Sequence, residues 1–446
     1  MRLISYYIIL LLLASCATPR RAERHFYKNL KTEIEASPVF SRGFTGFHLV
    51  DAASGQTLAA VNADQYFTPA SNTKILTLAT CLKVLGDSLP GMKWKIANDT
   101  FFFRGTGDPT FLHPDFENWQ PAVRFLKRQP LRLYNLQFYE QDYMERFGPG
   151  WAWDDYAEYY SPERSSMPAY GNVTIISKKK GEKTRVISPA REFVWDMHVS
   201  GRKTPRITRA EDHSTIYVQY DSLFIDSIEF ERAIPFHLGE FRTPPLVTFK
   251  TDSLYGVNWK SRPGPPGPGW KTFYSCPTDT VYRRMMYESD NFVAEQLLLV
   301  CAGVKYDTLQ QEKIIAWVKD SLFGVLPNPP RWVDGSGLSR YNLITPRYLT
   351  AVLQTLFREQ PRDRLFSLFP AGGVAGTLAE WYRGPDGQPF VFAKSGSMSG
   401  VQCLSGYSVT KSGKVLIFSF MHNNFVGNGK PWKQEMQRFL LRLADR

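Results

Sequence analysis

Cysteine and histidine are scarce in this chain, at five and seven among 446 residues. No His-Glu-x-x-His string and no close histidine pair occurs, which argues against a zinc peptidase; no metal and no cofactor is expected. The cysteine spacing matches neither a zinc nor a redox motif. Apart from one run at the extreme N-terminus there is no long apolar stretch, which excludes a polytopic membrane protein. Glycine (32) and proline (30) are at ordinary levels and no internal repeat is present, so collagen-like, coiled-coil and wholly disordered classes are excluded as well. What the chain has in excess is positive charge: 54 Lys+Arg against 42 Asp+Glu, a formal net charge of +12. That balance favours an anionic partner. No nucleic-acid motif accompanies it, and the densest basic run, Lys178-Lys179-Lys180, reads as a solvated turn. Nucleic acid is therefore not expected as a partner.

The N-terminus speaks to location. Met1-Arg2 leads into the apolar Leu3 to Leu13 and then Leu13-Ala14-Ser15-Cys16. A charged start, a short apolar segment and small residues before a break form the layout of a secretory signal, too short to span a bilayer of ~30 Å as a mature helix. The ending resembles the lipobox of bacterial lipoproteins, in which Cys16 would carry lipid and become the first mature residue. This gives a signal peptide over 1–15, a basic lipidated tether over 16–25, and a protein anchored in the bacterial cell envelope, facing the periplasm at the outer membrane. For the remaining Cys81, Cys276, Cys301 and Cys403 export makes disulfides possible, and free buried thiols are the default expectation.

Periodicity divides the rest. Gly43 to Asp51 and Gln56 to Asn62 read as strands around an Ala53-Ser54-Gly55 turn. Ile75, Leu78, Ala79, Leu82 and Leu85 recur at helical spacing, with Gly86 as the expected C-cap. From about Trp94 to Lys260 short β-like runs prevail, including Thr100 to Arg104, Val173 to Ser177 and Thr215 to Phe224, with few helices. Ser261 to Gly269 is a Pro/Gly linker. Helical patterns return at Asp279 to Cys301 and Leu309 to Leu322, followed by strands at Phe390 to Gly396, Cys403 to Val409 and Lys414 to His422, and a helix from Trp432 to Leu443. The expected architecture is an α/β domain over 26–92 and 270–446, split by a β-rich insertion over 93–269.

Three strings carry chemistry together: Ser71-Asn72-Thr73-Lys74, Ser289-Asp290-Asn291 and Lys394-Ser395-Gly396. Ser-x-x-Lys also begins at Ser177, Ser200 and Ser408, none of which offers a helix start, and Lys-Ser-Gly recurs at Lys411, in the turn between two late strands. Ser71 opens the apolar helix, so Lys74 stands one turn on along the same face, and the hydroxyl lies near the positive end of the helix dipole. A serine hydroxyl is a poor nucleophile until a base removes its proton, and Lys74 can do so only when neutral; burial and a second cation such as Lys394 promote that state. Ser289 would relay the proton to the departing group, and Asn291 would hold Lys74 or a substrate amide. Lys394 and Ser395 would pair with a substrate carboxylate, Gly396 would let a substrate backbone approach, and the N–H groups of Ser71 and Ser397 would form an oxyanion hole. The plainer alternative is that Ser71 and Ser289 merely cap helices.

The motif set resembles that of penicillin-binding proteins and β-lactamases. More narrowly, the chain resembles the D-alanyl-D-alanine carboxypeptidase/endopeptidase family, the class C low-molecular-mass penicillin-binding proteins. Further matching segments are Gly105 to Thr110, Gly148 to Asp155, Glu288 to Leu298, Asp334 to Ser339, Thr345-Pro346-Arg347, Gly376-Thr377-Leu378 and Ala393 to Gly400, in family order. The resemblance implies a penicillin-binding-protein/β-lactamase-like transpeptidase domain, an antiparallel sheet with flanking helices, carrying an insertion between its first and second motifs. It also implies action on peptidoglycan peptides through an acyl-enzyme on Ser71, with β-lactams as covalent inhibitors. Ser395 departs from the family's usual threonine but keeps the hydroxyl, and a lipid anchor is unusual for the family. The alternatives are a catalytically lapsed peptidoglycan-binding protein and a β-lactamase. Asp334 to Gly337 lacks the Lys-Ser/Thr of a phosphate loop and reads as a turn. The aromatic-rich run from Trp151 to Tyr170 reads as core rather than as a sugar platform.

Overall fold

The structure, a computed structural model, describes residues 22–116, 120–130, 135–139, 144–181, 185–187, 195–199, 206–212, 215–220, 229–236 and 267–446. The signal segment, Cys16, part of the tether, Ser200, residues 221–224 of one expected strand and 261–266 of the linker lie outside the described residues. The chain divides into two compact units, one formed by the residues up to Ile75 with Val325–Arg331 and Asn342–Arg446, the other by Leu76–Gly324 with Trp332–Tyr341.

The first unit is built on an antiparallel sheet of five strands: β1 (Phe44–Asp51), β2 (Thr57–Val61), β13 (Val391–Met398), β14 (Val401–Val409) and β15 (Val415–Asn423), in the order β13-β14-β15-β1-β2. All of β15 and nearly all of β14 are buried, because helices cover both faces. On one face α1 (22–35) and α9 (Lys430–Ala444) bring Leu30, Ile34, Met436 and Phe439 into a cluster with Ala393 and Leu404. On the other, α8 (Arg362–Ser367) stacks Phe366 on Phe392, and α7 (Pro346–Glu359) offers the Leu353 carbonyl to the Tyr407 hydroxyl at 2.8 Å. Side chains alternate along a strand, so Lys394, Gly396 and Ser405 belong to the same face as Phe392 and Tyr407. That face receives the start of α2 (Lys74–Val84).

The second unit holds the remainder of α2 and three sheets. One is ordered β12-β3-β4-β5, from β3 (Ser88–Ala97), β4 (Thr100–Gly105), β5 (Asn135–Phe138) and β12 (Lys271–Pro277). The others are β11-β6-β7, from β6 (Val173–Lys178), β7 (Arg185–Ile187) and β11 (Phe230–Pro235), and β8-β10-β9, from β8 (Trp195–Val199), β9 (Arg206–Arg209) and β10 (Ile216–Tyr220). Its helices are α3 (Pro121–Arg128), α4 (Thr278–Tyr287), α5 (Asn291–Tyr306) and α6 (Gln311–Trp317). Cys81 of α2 and Cys301 of α5 are buried with their sulfurs 3.7 Å apart, and the described cysteines are free thiols.

Four sequence expectations need correction. The β-rich stretch begins at Ser88, not near Trp94, because β3 pairs across to β12, a partner distant in sequence. Gly86 is not a left-handed C-cap, since α2 stops at Val84 and Gly86 has no positive φ. The single helix expected over 279–301 is two helices, broken at Ser289, whose φ of +58° no α-helix accommodates. The aromatics of Trp151 to Tyr160 are not core: all are partly or largely exposed, Trp153 at 72% and Tyr159 at 67%, whereas the half-buried Tyr170 packs against the core cluster of Phe111 and Ala169.

Candidate active site

In the first unit, Ser71 stands in a single 3₁₀ turn, Ala70–Thr73, that runs directly into α2. Ala70 has a φ of +47°, costly for a residue with a Cβ, and the Thr73 hydroxyl bonded to the Ala70 carbonyl at 2.9 Å helps hold the turn. Three residues on, the wholly buried Lys74 places its Nζ 2.9 Å from Ser71 Oγ. The turn is also fastened to the sheet: Asn72, completely buried, donates its amide to Ser405 Oγ at 2.7 Å, and Ser405 bonds to Ser419 at 2.8 Å.

Lys394 lies directly across from Ser405 in the β13–β14 ladder, on the face that Asn72 touches. It is fully buried, and its Nζ donates to the Ser395 carbonyl at 2.9 Å. Burial first, and then the charge of Lys74, hold the Lys394 ammonium well below the usual lysine range. Gly396 permits the close approach. A Cβ there would sit 2.7 Å from the Pro69 carbonyl oxygen and 3.1 Å from the Ser71 nitrogen. The hydroxyls of Ser395 and Ser397 donate to Thr377 Oγ1 at 2.8 Å and Gln402 Oε1 at 2.9 Å. Their backbones are a different matter. Ala393 N–H leaves the outer edge of β13 for the Pro370 carbonyl, so at a period of two the N–H groups of Ser395 and Ser397 point off the same edge.

The second unit carries Ser289 and Asn291. Asp290, not Ser289, caps α5, accepting the Val293 N–H at 3.0 Å, so neither candidate serine is the side-chain cap of its helix. Asn291 donates its Nδ2 to the Tyr160 carbonyl at 2.8 Å, which orients the amide. This partner had no signature in the sequence, because any residue can supply a carbonyl. Buried side chains fix the segment that presents it. Gln296 donates to the carbonyls of Gly107 at 2.9 Å and Ser165 at 2.7 Å; Glu163 meets Arg209 and Arg146, each at 3.2 Å. Arg164 donates to the carbonyls of Glu145 and Phe147 and to Gln311, and lies 3.7 Å from Glu295. Burial foremost, and then Asp334, raises the Glu295 carboxyl, although Ser336 N–H reaches it at 2.7 Å. The Asp334 to Gly337 turn is pinned by Asp334, which accepts from Gly337 N, Ser339 N and Trp151 Nε1. No group of three side chains suited to hold a metal exists among the described residues.

The D-Ala-D-Ala carboxypeptidase 3 (S13) family matches this sequence over residues 26–219 and 272–444. The chain belongs to that family. It is accordingly a serine-type D-Ala-D-Ala carboxypeptidase, a hydrolase. The chain is 27% identical to a D-alanyl-D-alanine carboxypeptidase of an Actinomadura species over 89% of its own length and 81% of the relative's. It is 23% identical to the D-alanyl-D-alanine carboxypeptidase DacB of Haemophilus influenzae, with 85% of each chain covered. Among solved structures, penicillin binding protein 4 of Haemophilus influenzae is similar with a TM-score of 0.72 at 18% identity, over 94% of this chain and 98% of that one. The fold is thus the penicillin-binding-protein type expected of this carboxypeptidase family.

Proposed function

We propose that Ser71 is the acylated nucleophile of this carboxypeptidase and Lys74 its base. The observation that carries the proposal is the 2.9 Å contact between Lys74 Nζ and Ser71 Oγ, made by a lysine with no solvent exposure. In its neutral form Lys74 accepts the hydroxyl proton as Oγ attacks the D-Ala-D-Ala carbonyl. The carbonyl oxygen takes up negative charge between the N–H groups of Ser71 and Ser397, each donor typically worth ~3 kcal/mol in such a site. The C–N bond then breaks, the departing amine receives a proton through Ser289, and water releases the acyl group. The terminal carboxylate, once bound, favours the charged form of Lys394 against burial and Lys74, and pairs with Lys394 and Ser395, while Gly396 lets the substrate backbone approach. Asn291, held by Tyr160, positions the substrate amide or Lys74.

The substrates are peptidoglycan stem peptides, with cross-links as a second target, and β-lactams acylate the same serine. A Haemophilus influenzae neighbour, TM-score 0.65, is described in complex with a β-lactam. Segment 93–269 is an insertion in a domain formed by 26–92 and 270–446, and Cys16 anchors the protein by lipid at the outer membrane, facing the periplasm. Purified protein incubated with a fluorescent penicillin should become labelled on Ser71, and Ser71→Ala should not. A folded wild type that takes no label would favour the lapsed, wall-binding alternative; rapid turnover of the drug would favour a β-lactamase.

A further inference from the structure

Ser289 stands at the break between α4 and α5 with a φ of +58°, a conformation costly for a residue with a Cβ. Such a backbone persists only where its surroundings impose it. A bracket of charged side chains in the second unit does so.

Arg284, in the last turn of α4, holds both sides of the break. Its carbonyl accepts the Glu288 N–H at 3.2 Å and closes α4. Its guanidinium reaches across to the next helix, where Nε donates to Asp290 Oδ2 at 3.1 Å. The other oxygen of the same carboxylate, Oδ1, accepts the Val293 N–H at 3.0 Å and opens α5. The guanidinium has a second partner: Nη1 lies 2.8 Å from Asp115 Oδ2. Asp115 is placed in turn by the buried His113, whose Nδ1 accepts the Asp115 N–H at 3.2 Å. Burial lowers the His113 imidazole against the pull of Asp290 and Asp115, which leaves Nδ1 able to accept.

Two properties of this bracket point to geometry rather than stability. The side chains of Arg284 and Asp115 are 28% and 45% exposed, and ion pairs open to water contribute little to folding. Yet a planar guanidinium fixes the direction of each donor, so one arginine sets two carboxylates in place, as the point charge of a lysine does not. Ser289 and Asn291 flank Asp290 in the chain, and a shift of Asp290 moves both.

We propose that Arg284 is a positioning residue for the hydrolysis: held by Asp115 and acting through Asp290, it fixes the Ser289–Asn291 segment in its reactive placement. The proposal rests on the roles given above to Ser289 and Asn291. The test measures kcat and KM on a soluble D-Ala-D-Ala stem peptide. Arg284→Gln should lower kcat about tenfold and change KM less than about twofold, with an unfolding midpoint near that of wild type. Arg284→Lys should recover part of the lost kcat. Asp115→Ala should slow the wild type but not slow Arg284→Gln further, because Asp115 acts through the guanidinium. Wild-type kcat in Arg284→Gln, a loss that follows a lowered unfolding midpoint, or additive effects of the two substitutions would each overturn the proposal. Ser289→Ala, assayed in parallel, separates the two readings. A slow Ser289→Ala beside a normal Arg284→Gln overturns only the proposal made here; a fast Ser289→Ala beside a slow Arg284→Gln overturns the proton relay and leaves Asn291 as the group that Arg284 places.

Discussion

The two units secure their candidate residues by opposite uses of buried charge. In the first, Ser71, Lys74 and Lys394 stand on a helix start and a strand whose backbone groups satisfy one another, and two ammonium groups are buried close enough for one to depress the other. In the second, Ser289 and Asn291 depend on a break between helices and on the irregular segment that presents Tyr160. Irregular backbone must find its partners among side chains. There Glu163 faces Arg209 and Glu295 lies near Arg164, and a like-charge neighbour of Glu295, the buried Asp334, is taken up by donors from Gly337 N, Ser339 N and Trp151 Nε1. Like charges buried together without such donors are unfavourable and point to chemistry, whereas in an opposite pair it is the loss of one partner that is costly.

The largest test of that contrast removes one member of each kind. Ser71→Ala should lose penicillin labelling entirely. Lys74→Ala should slow acylation by ~10³-fold, within the range for a general base, while denaturant unfolding of the sheet is little changed. Glu163→Ala should do the reverse in kind. It leaves Arg209 and Arg146 without their shared carboxylate, and breaking a buried pair costs about 3–5 kcal/mol, read as a lower urea midpoint. If Lys74→Ala unfolds the protein while Glu163→Ala leaves stability intact, the division between chemical and structural charge is wrong.

The first unit was the more legible in sequence. Its strands alternate or run apolar, and Ser71 and Lys74 meet through local geometry that spacing alone dictates. Long-range pairing was less legible. Nothing in Ser88 to Met92 announces a strand, because β3 is held by β12 across a long interval of chain. The break at Ser289 was hidden because Val281, Tyr282, Met285, Val293 and Leu297 keep an unbroken helical pattern of buried residues on both sides of it. The Trp153 aromatics misled for a compositional reason: aromatic residues are usually buried, and composition carries no account of a turn anchored from below by Arg209.

A smaller perturbation sharpens how the first unit is assembled. Gly396→Ala would place a methyl group 2.7 Å from the Pro69 oxygen and 3.0 Å from the Asn72 nitrogen, both rigid backbone. Either β13 or the Ser71 turn must move. The expected cost is about 1–3 kcal/mol of overpacking, with acylation slowed roughly 10- to 100-fold by the displaced nucleophile. Gly413→Ala is the control for added bulk: it sits at a hairpin with nothing near its Cβ, though its φ of +79° lends it a small strain of its own. Equal acylation rates in the two variants would mean that β13 does not set the position of Ser71.

The last test separates the units by pH. Burial pushes His422 in β15 down to about 3, and burial, then Arg347, push His48 in β1 down to about 4. An unfolded histidine titrates near 6.5, so this stability is complete above that value. It falls on acidification, as the unfolded chain takes up protons first, by ~1.4 kcal/mol per pH unit for each histidine. Asp108 in the second unit works the other way. Burial raises its carboxyl to about 6 from 3.8, so between those values the folded state binds the extra proton and acid stabilises it. Hydrogen exchange corrected for intrinsic rates should therefore show β15 amides opening more readily at pH 5 than at pH 7. The amides around Gly107 to Thr110 should change less, or become better protected. Asp108→Asn should abolish that relative protection, since an amide cannot take up the proton; an unchanged pH response in this variant would assign the difference between the units to other groups.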